Sequence, residues 1–413
     1  MNKKQQRVLI LILGLLSAIG PFSIDMYLPG FPAIALNLNT SVERVGYSLS
    51  SFFIGICIGQ IACGPLLDRF GRKKPLLVGL VLYILASIGC SLSTSVETLI
   101  LFRFLQALGG CVGMVAPNAI VRDVFPVQQS ARVFSMLILI LGVSPILAPT
   151  VGSYVVAHYG WQTVFVVLAA ITALIFFAVV KWLPESRKPD PNFSLRPGPI
   201  VAGFRTILKE PQFTTYAFAC AIASAGLFAY IAGSPFVFMN LYGVSEQAYG
   251  LIFAGVAAGL IGSSQVNNLI LRRYTSAQIL KVVLITQSLI GLTLVGGIAT
   301  GTIGLPVIVV LIFFFLSCQG FTFPNGAALA MAPFTTGAGS ASALLGAFQM
   351  VFGALASALV GLAFNGTAVP MAAIMAFCCV TGLTVLLLGR RRIQYKARKE
   401  TIEEQALELI ERL

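Results

Sequence analysis

The chain reads as an all-α polytopic membrane protein of about twelve transmembrane helices, and three observations predict it. The first is composition: of 413 residues, 57% are apolar and 10% charged, with mean hydropathy +0.92. The second is run length, because apolar stretches repeatedly exceed the ~20 residues that a helix needs to cross ~30 Å of hydrocarbon. They centre near Leu15, Ile54, Leu82, Cys111, Leu141, Ala170, Ala225, Ala257, Leu289, Phe314, Met350 and Ala376. These runs are continuous, which excludes a barrel of strands alternating with period two. The third is charge placement: the basic residues fall between alternate runs.

Taken in order, the N-terminal tail carries Lys3, Lys4 and Arg7 ahead of the first apolar run. Asp25 interrupts that run, Pro29 ends it, and no small-residue cleavage site follows, so an uncleaved span is expected rather than a leader peptide. The 2–3 loop holds Arg69, Arg72, Lys73 and Lys74, the 4–5 loop Arg122 and Arg132, and the 8–9 loop Arg272, Arg273 and Lys281. The central loop and the C-terminal tail hold most of the others. Only Arg44 falls on the opposite side and only Arg103 within a span, so 25 of 27 basic residues share one side. That asymmetry predicts cytoplasmic termini. It also accounts for the net charge of +13 without nucleic acid. His158 and Trp161 sit in the short outer 5–6 loop, where Trp161 is expected as an interfacial anchor. The eight cysteines all lie in apolar spans without metal-ligand spacing, so no metal site is expected. Beyond Glu400, apolar residues at 402, 406, 409 and 413 predict an amphipathic tail helix.

The longest polar segment, rich in proline from Pro184 to Pro199, divides the chain. The expected units are an N-terminal six-helix bundle (1–182), a linker (183–211), a C-terminal six-helix bundle (212–389) and a tail (390–413). Faint internal symmetry supports two pseudo-symmetric halves. Pro117-Asn118-Ala119 matches Pro324-Asn325-Gly326, Pro29 matches Pro235, and Ser130-Ala131 matches Ser340-Ala341, all at nearly one offset. Two such repeats are the build of a rocking transporter with a central site.

Several motifs sharpen this. The 2–3 loop reads Gly64-Pro65-Leu66-Leu67-Asp68-Arg69-Phe70-Gly71-Arg72-Lys73-Lys74. Gly64 and Gly71 suit a tight turn. Asp68 suits the positive end of a helix starting on the same side, such as span 11 near Ser340. Arg69 and Arg72 suit acids across a domain interface, so the loop is expected to gate the cytoplasmic side. The pattern resembles the signature of the major facilitator superfamily, which implies its two-bundle fold. Span 4 reads Leu99-x3-Arg103-x2-Gln106, similar to the superfamily motif carrying a membrane-embedded arginine; Ala107 stands where the family usually has glycine. Span 5 reads Gly142-Val143-Ser144-Pro145-x2-Ala148-Pro149-x2-Gly152-Ser153, resembling the superfamily's antiporter motif with three glycines replaced. Ser23-Ile24-Asp25-Met26-Tyr27-Leu28-Pro29 and Arg122-Asp123-Val124-Phe125-Pro126 resemble the Bcr/CflA drug:proton antiporters. That resemblance implies a monomeric exporter of bicyclomycin, phenicols or sulfonamides in the bacterial inner membrane. Ser17 stands where some multidrug relatives carry a second acid.

Asp25 and Arg103 are the only charges deep in apolar spans, and an ionisable group there costs at least ~2.5–3.5 kcal/mol. By helical rise Asp25 lies about 26 Å from the inner end of span 1, and Arg103 about 10 Å from the outer end of span 4. Matching depth predicts that they pair and carry the proton, the only coupling ion expected and the stand-in for any cofactor. A cation beside a carboxylate favours its ionised form and desolvation favours the neutral one, so alternation between the two would move a proton. Tyr27, Tyr47, Asn118, Phe228, Tyr230, Phe236, Asn325 and Gln349 are polar or aromatic groups expected to line a cavity for an amphiphilic drug. The expected function is proton-coupled drug export by alternating access. A proton-coupled exporter of amino acids, nucleosides or sugars is the alternative. A channel would need a filter motif that the sequence lacks, and an enzyme or ATP-driven pump a nucleophile cluster or Walker loop.

Overall fold

The computed structural model describes residues 3–125, 127–190, 197–334 and 338–411. Twelve of its helices are long and apolar enough to cross a membrane. The first half holds α1 (Lys3–Asp25), α2 (Phe31–Asn37), α3 (Val42–Phe70), α4 (Lys73–Ser91), α5 (Val96–Val124), α6 (Val127–Tyr159) and α7 (Trp161–Trp182). The second holds α9 (Pro211–Pro235), α10 (Glu246–Ile270), α11 (Ser276–Ala299), α12 (Leu305–Met331), α13 (Ala338–Leu362) and α14 (Val369–Glu411). Between them lies α8 (Pro197–Leu208), a helix that the proline-rich linker sequence did not announce. Pro197 stands at its first position, where proline's missing N–H removes no helical bond. The tail is not a separate helix: α14 continues to Glu411.

Polar side chains close the helix ends. Ser41 accepts from Arg44 N at the start of α3, and reciprocal capping boxes, Ser95/Thr98 and Thr275/Gln278, start α5 and α11. Within the first half, α4 and α5 approach backbone to backbone. A β-carbon on Gly109 would lie 2.6 Å from Gly79 O, so only glycine permits this crossing.

The two halves meet along two seams, α3 against α13 and α6 against α10. Contacts on the first run from Tyr47 against Gly361, at the end away from the chain termini (the far side), through the Ser50–Ser357 hydrogen bond of 2.9 Å to Gln60 against Gly346 near mid-span. On the second, Gly250 of α10 packs on Pro149 and Ser153 of α6. A single apolar core spans both halves on the far side, and a second core of α9, α11, α12, α13 and α14 residues stays within the C-terminal half.

The first helix of each half breaks at the far side. α1 stops at Asp25, and a 3₁₀ turn (Leu28–Gly30) leads into α2. α9 stops at Pro235 and continues as a π-helical turn (Phe236–Leu241). The cause in α1 is legible: the donor that the Asp25 carbonyl needs, four residues on, is Pro29, which has none. Trp161 is 3% exposed, so it is not the interfacial anchor expected of it. Gly160 before it adopts φ 82°; the indole meets Phe165 edge-on, and Trp161 Cβ lies against Gly30.

Candidate functional site at the broken end of α1

The last turn of α1 leaves carbonyls without intrahelical donors, and a buried cation answers them. Arg103 of α5 is fully buried and donates from Nη2 to Ser23 O at 2.9 Å and from Nη1 to Gln106 Oε1. Its guanidinium lies between the rings of Phe52 and Tyr27, 4.0 and 4.3 Å from their centroids. Gln106 passes the chain on to Ser87 Oγ at 2.7 Å, while the Ser23 and Tyr83 hydroxyls bond to each other. A buried charge is tolerable when its hydrogen bonds are made and π faces cover it, and Arg103 lacks a partner only at Nε.

Asp25 differs from the expectation. It is 4% exposed and makes no hydrogen bond or ion pair among the described residues. Arg103 reaches the backbone two residues earlier rather than the Asp25 carboxyl. Equal depth therefore did not produce a pair. The turn that follows Asp25, Leu28–Gly30, lies against α9 and α10 of the other half. The antiporter-like motif on α6 supports this corner: Gly152 lies directly against Met26 O, where no β-carbon fits. Ala148 is fully buried, and Pro145 and Pro149 lie within the same helix.

The expected cavity residues divide. Tyr27 is 1% exposed and bonds to Ser48 at 3.3 Å; Tyr230 is 1% exposed and its hydroxyl makes no hydrogen bond among the described residues. Phe228 meets Phe53 edge-on at 4.6 Å and Tyr47 packs on Gly361, both across the far-side seam, whereas Phe236 meets Phe364 edge-on within the second half. Asn325 is tied to Asn267 Oδ1 at 2.7 Å and braces α12 against α10. Asn118 is exposed, and Gln349 is half-buried. The eight residues thus do not form one lining. Four residues at this corner gave no sequence signal that was used: Phe52, Phe165, Ser234 and Tyr249. A hydroxyl or ring within an apolar run is too common to single out by type.

At the termini side the 2–3 loop is held within its own half. Gly71 adopts φ 81°, and the Glu185 carboxylate accepts from Arg72 N at 2.7 Å and Lys73 N at 3.1 Å at the start of α4. Arg72 bridges Asp123 (2.8 Å) and Asp68 (2.9 Å), and Arg187 of the linker also donates to Asp68 at 3.0 Å. Burial works against the charge on Arg72, yet its bonds to Asp123 and Asp68 outweigh that and raise its pKa. Gly64 is not crowded by neighbours, and Arg69 is half-buried. The expected docking place for Asp68, the chain before span 11, includes residues 335–337 and the side chains of 338–340, which lie outside the described residues.

Comparison with known proteins agrees with this architecture. Residues 13–361 match the family model of the Major Facilitator Superfamily. The chain is 35% identical over 391 residues to the uncharacterized MFS-type transporter YdgK of Bacillus subtilis (strain 168), covering 92% of this chain and 94% of that one. It is 31% identical over 383 residues to a bicyclomycin resistance protein homolog of Haemophilus influenzae, covering 92% and 95%. The fold matches that of the nucleoside transporter NupG with TM-score 0.73 at 15% identity, covering 92% and 99%. Twelve apolar spans in this arrangement, matched over most of their length, make the chain a multi-pass membrane transporter, not an enzyme, and a member of the Major Facilitator Superfamily.

Proposed function

We propose that this chain is a proton-coupled drug exporter of the Bcr/CflA type, a monomer in the bacterial inner membrane with both termini in the cytoplasm. One observation carries the reading: Asp25, a carboxyl with no ion pair among the described residues, is buried where the end of α1 meets the other half. A carboxylate placed there would be a buried charge without compensation, whereas the neutral acid is tolerable. This conformation, with its seams packed on the far side, is then the proton-loaded one. Opening the far side would wet Asp25 and let it exchange protons there. Closing with the proton on board, then trading it for drug on the termini side, links one flux to the other. The bicyclomycin resistance relative and the Phe53 and Phe228 rings at the seam favour an amphiphilic drug as cargo.

Inverted membrane vesicles with an imposed pH gradient test the proposal, with bicyclomycin, chloramphenicol and a sulfonamide as probes. The wild type should accumulate at least one of them. Asp25→Asn should lose that accumulation while still exchanging probe down its own gradient. Full gradient-driven accumulation by the variant would move the proton to another group. Transport of amino acids, nucleosides or sugars in place of all three probes would replace the drug reading.

A further inference from the structure

The seam between α3 and α13 is not closed to its far-side rim. Beyond the Ser50–Ser357 hydrogen bond, α3, α9, α13 and α14 leave a crevice of about 420 Å³, counting the part open to solvent. Its walls come from both halves: Glu43 and Gly46 from the first, Gly233, Phe236, Ser357 and Phe364 from the second. Gly46 is buried, yet a β-carbon built on it would meet nothing within 4 Å, so the space lies directly against α3. Phe236 opens the π-helical turn of α9, and its ring meets that of the exposed Phe364 edge-on at 4.6 Å. Glu43 is the one charged residue of this lining. Its half-buried carboxylate makes no hydrogen bond or ion pair among the described residues. The neighbouring Arg44 does not serve it, being taken by Glu97 at 2.7 Å, and Ser41 rather than Glu43 caps α3. The far-side loops and helix ends carry Glu43, Glu97 and Glu246 against Arg44 alone among lysines and arginines.

We infer that this crevice is a far-side binding site for a small organic cation with an apolar body. The lining selects that class. An unpaired carboxylate attracts a positive head, and aromatic rings hold cations through their quadrupole. The valine, proline and glycine walls suit an apolar body, and one polar group among them fixes its orientation. An anion would be repelled. A bare metal ion needs a shell of oxygen ligands, and here it would find one carboxylate among mainly apolar groups. The surplus of acid on the far side raises the local concentration of cations at the mouth. Glu43 and the two rings belong to different halves, so the site is whole only while the far side is shut. It is separate from Asp25 and stands whether or not that residue carries the proton.

The test needs neither a gradient nor transport. Radiolabelled benzyltrimethylammonium, one ring with one permanent charge, is equilibrated by dialysis against purified full-length protein, with benzyl alcohol as the uncharged competitor. The wild type should bind the cation saturably, and benzyl alcohol at equal concentration should not displace it. Glu43→Gln should weaken binding roughly fivefold, and Phe364→Leu about two- to fivefold. Glu97→Gln removes a carboxylate from the same face and should leave the affinity as it was. Gly46→Leu, which fills the crevice with Glu43 untouched, should abolish binding. Glu43→Gln breaks no bond, so it carries the test should Gly46→Leu fail to fold. Absence of saturable binding, or equal displacement by benzyl alcohol, would overturn the inference. So would equal weakening by Glu43→Gln and Glu97→Gln, the mark of a general surface field. Undiminished binding by folded Gly46→Leu would place the cation elsewhere and end the proposal.

Discussion

The termini-side clamp and the far-side seam both bury charge, and they treat it in opposite ways. At the clamp, Asp68, Arg72, Asp123, Glu185 and Arg187 are joined by hydrogen bonds of 2.7 to 3.1 Å, all within one half and its linker. At the seam, Asp25 and the Tyr230 hydroxyl make no hydrogen bond among the described residues, and they lie on different halves. Arg103 stands between the cases: it is deep in the membrane, yet its bonds tie α5 to α1 within one half. On the proposed function, a saturated buried charge holds a bundle together, whereas an unsaturated one is where protonation and movement would be linked.

The largest effect that sharpens this comparison is at the clamp. Arg72→Ala strips Asp68 and Asp123 of a shared donor, and breaking such a pair should cost about 3–5 kcal/mol. Thermal unfolding in detergent should show it as a large fall in midpoint, and an unchanged midpoint would make the clamp ornamental. Arg103→Lys comes next. Lysine keeps the charge but not the planar fork that serves Ser23 O, Gln106 and two rings, so a loss of roughly 1.5–3 kcal/mol is expected. The same unfolding assay checks it, and full retention of stability would show that charge alone suffices there.

Ser357→Ala removes one hydrogen bond between the halves, worth about 0.5–1.5 kcal/mol. It should leave unfolding almost untouched yet raise the far-side-open population several-fold, read as longer distances between labels on the far-side ends of α3 and α13. Distances that stay put would remove Ser50–Ser357 from the seam. The smallest stability effect should be at Asp25 itself: Asp25→Asn breaks no bond, so its unfolding midpoint should stay near the wild type's. A fall comparable to that of Arg72→Ala would reveal a partner and end the contrast.

How much of this was legible follows from the same physics. The twelve spans could be read because hydrocarbon enforces long apolar runs, and Asp25 and Arg103 because hydrocarbon penalises charge. Their relation was not legible. Helical rise gives depth but not azimuth, and the chain breaks after Asp25, where Arg103 takes Ser23 O rather than the Asp25 carboxyl. The 2–3 loop was recognisable by its spacing, but its docking on Glu185 and Arg187 joins residues more than a hundred positions apart. Asn325 was singled out as a polar group in a span; that it braces α12 against Asn267 depends on which face it takes. Trp161 misled because residue type does not reveal which way a side chain faces, and its ring meets Phe165 within the first half.

The central claim is that Asp25 gives up a proton when cargo loads. The most direct measurement is proton release from purified, weakly buffered protein on addition of a compound that the wild type accumulates in vesicles, followed with a pH-sensitive dye. The account predicts release by the wild type and none by Asp25→Asn, with the compound still bound by both. Undiminished release from Asp25→Asn would contradict it.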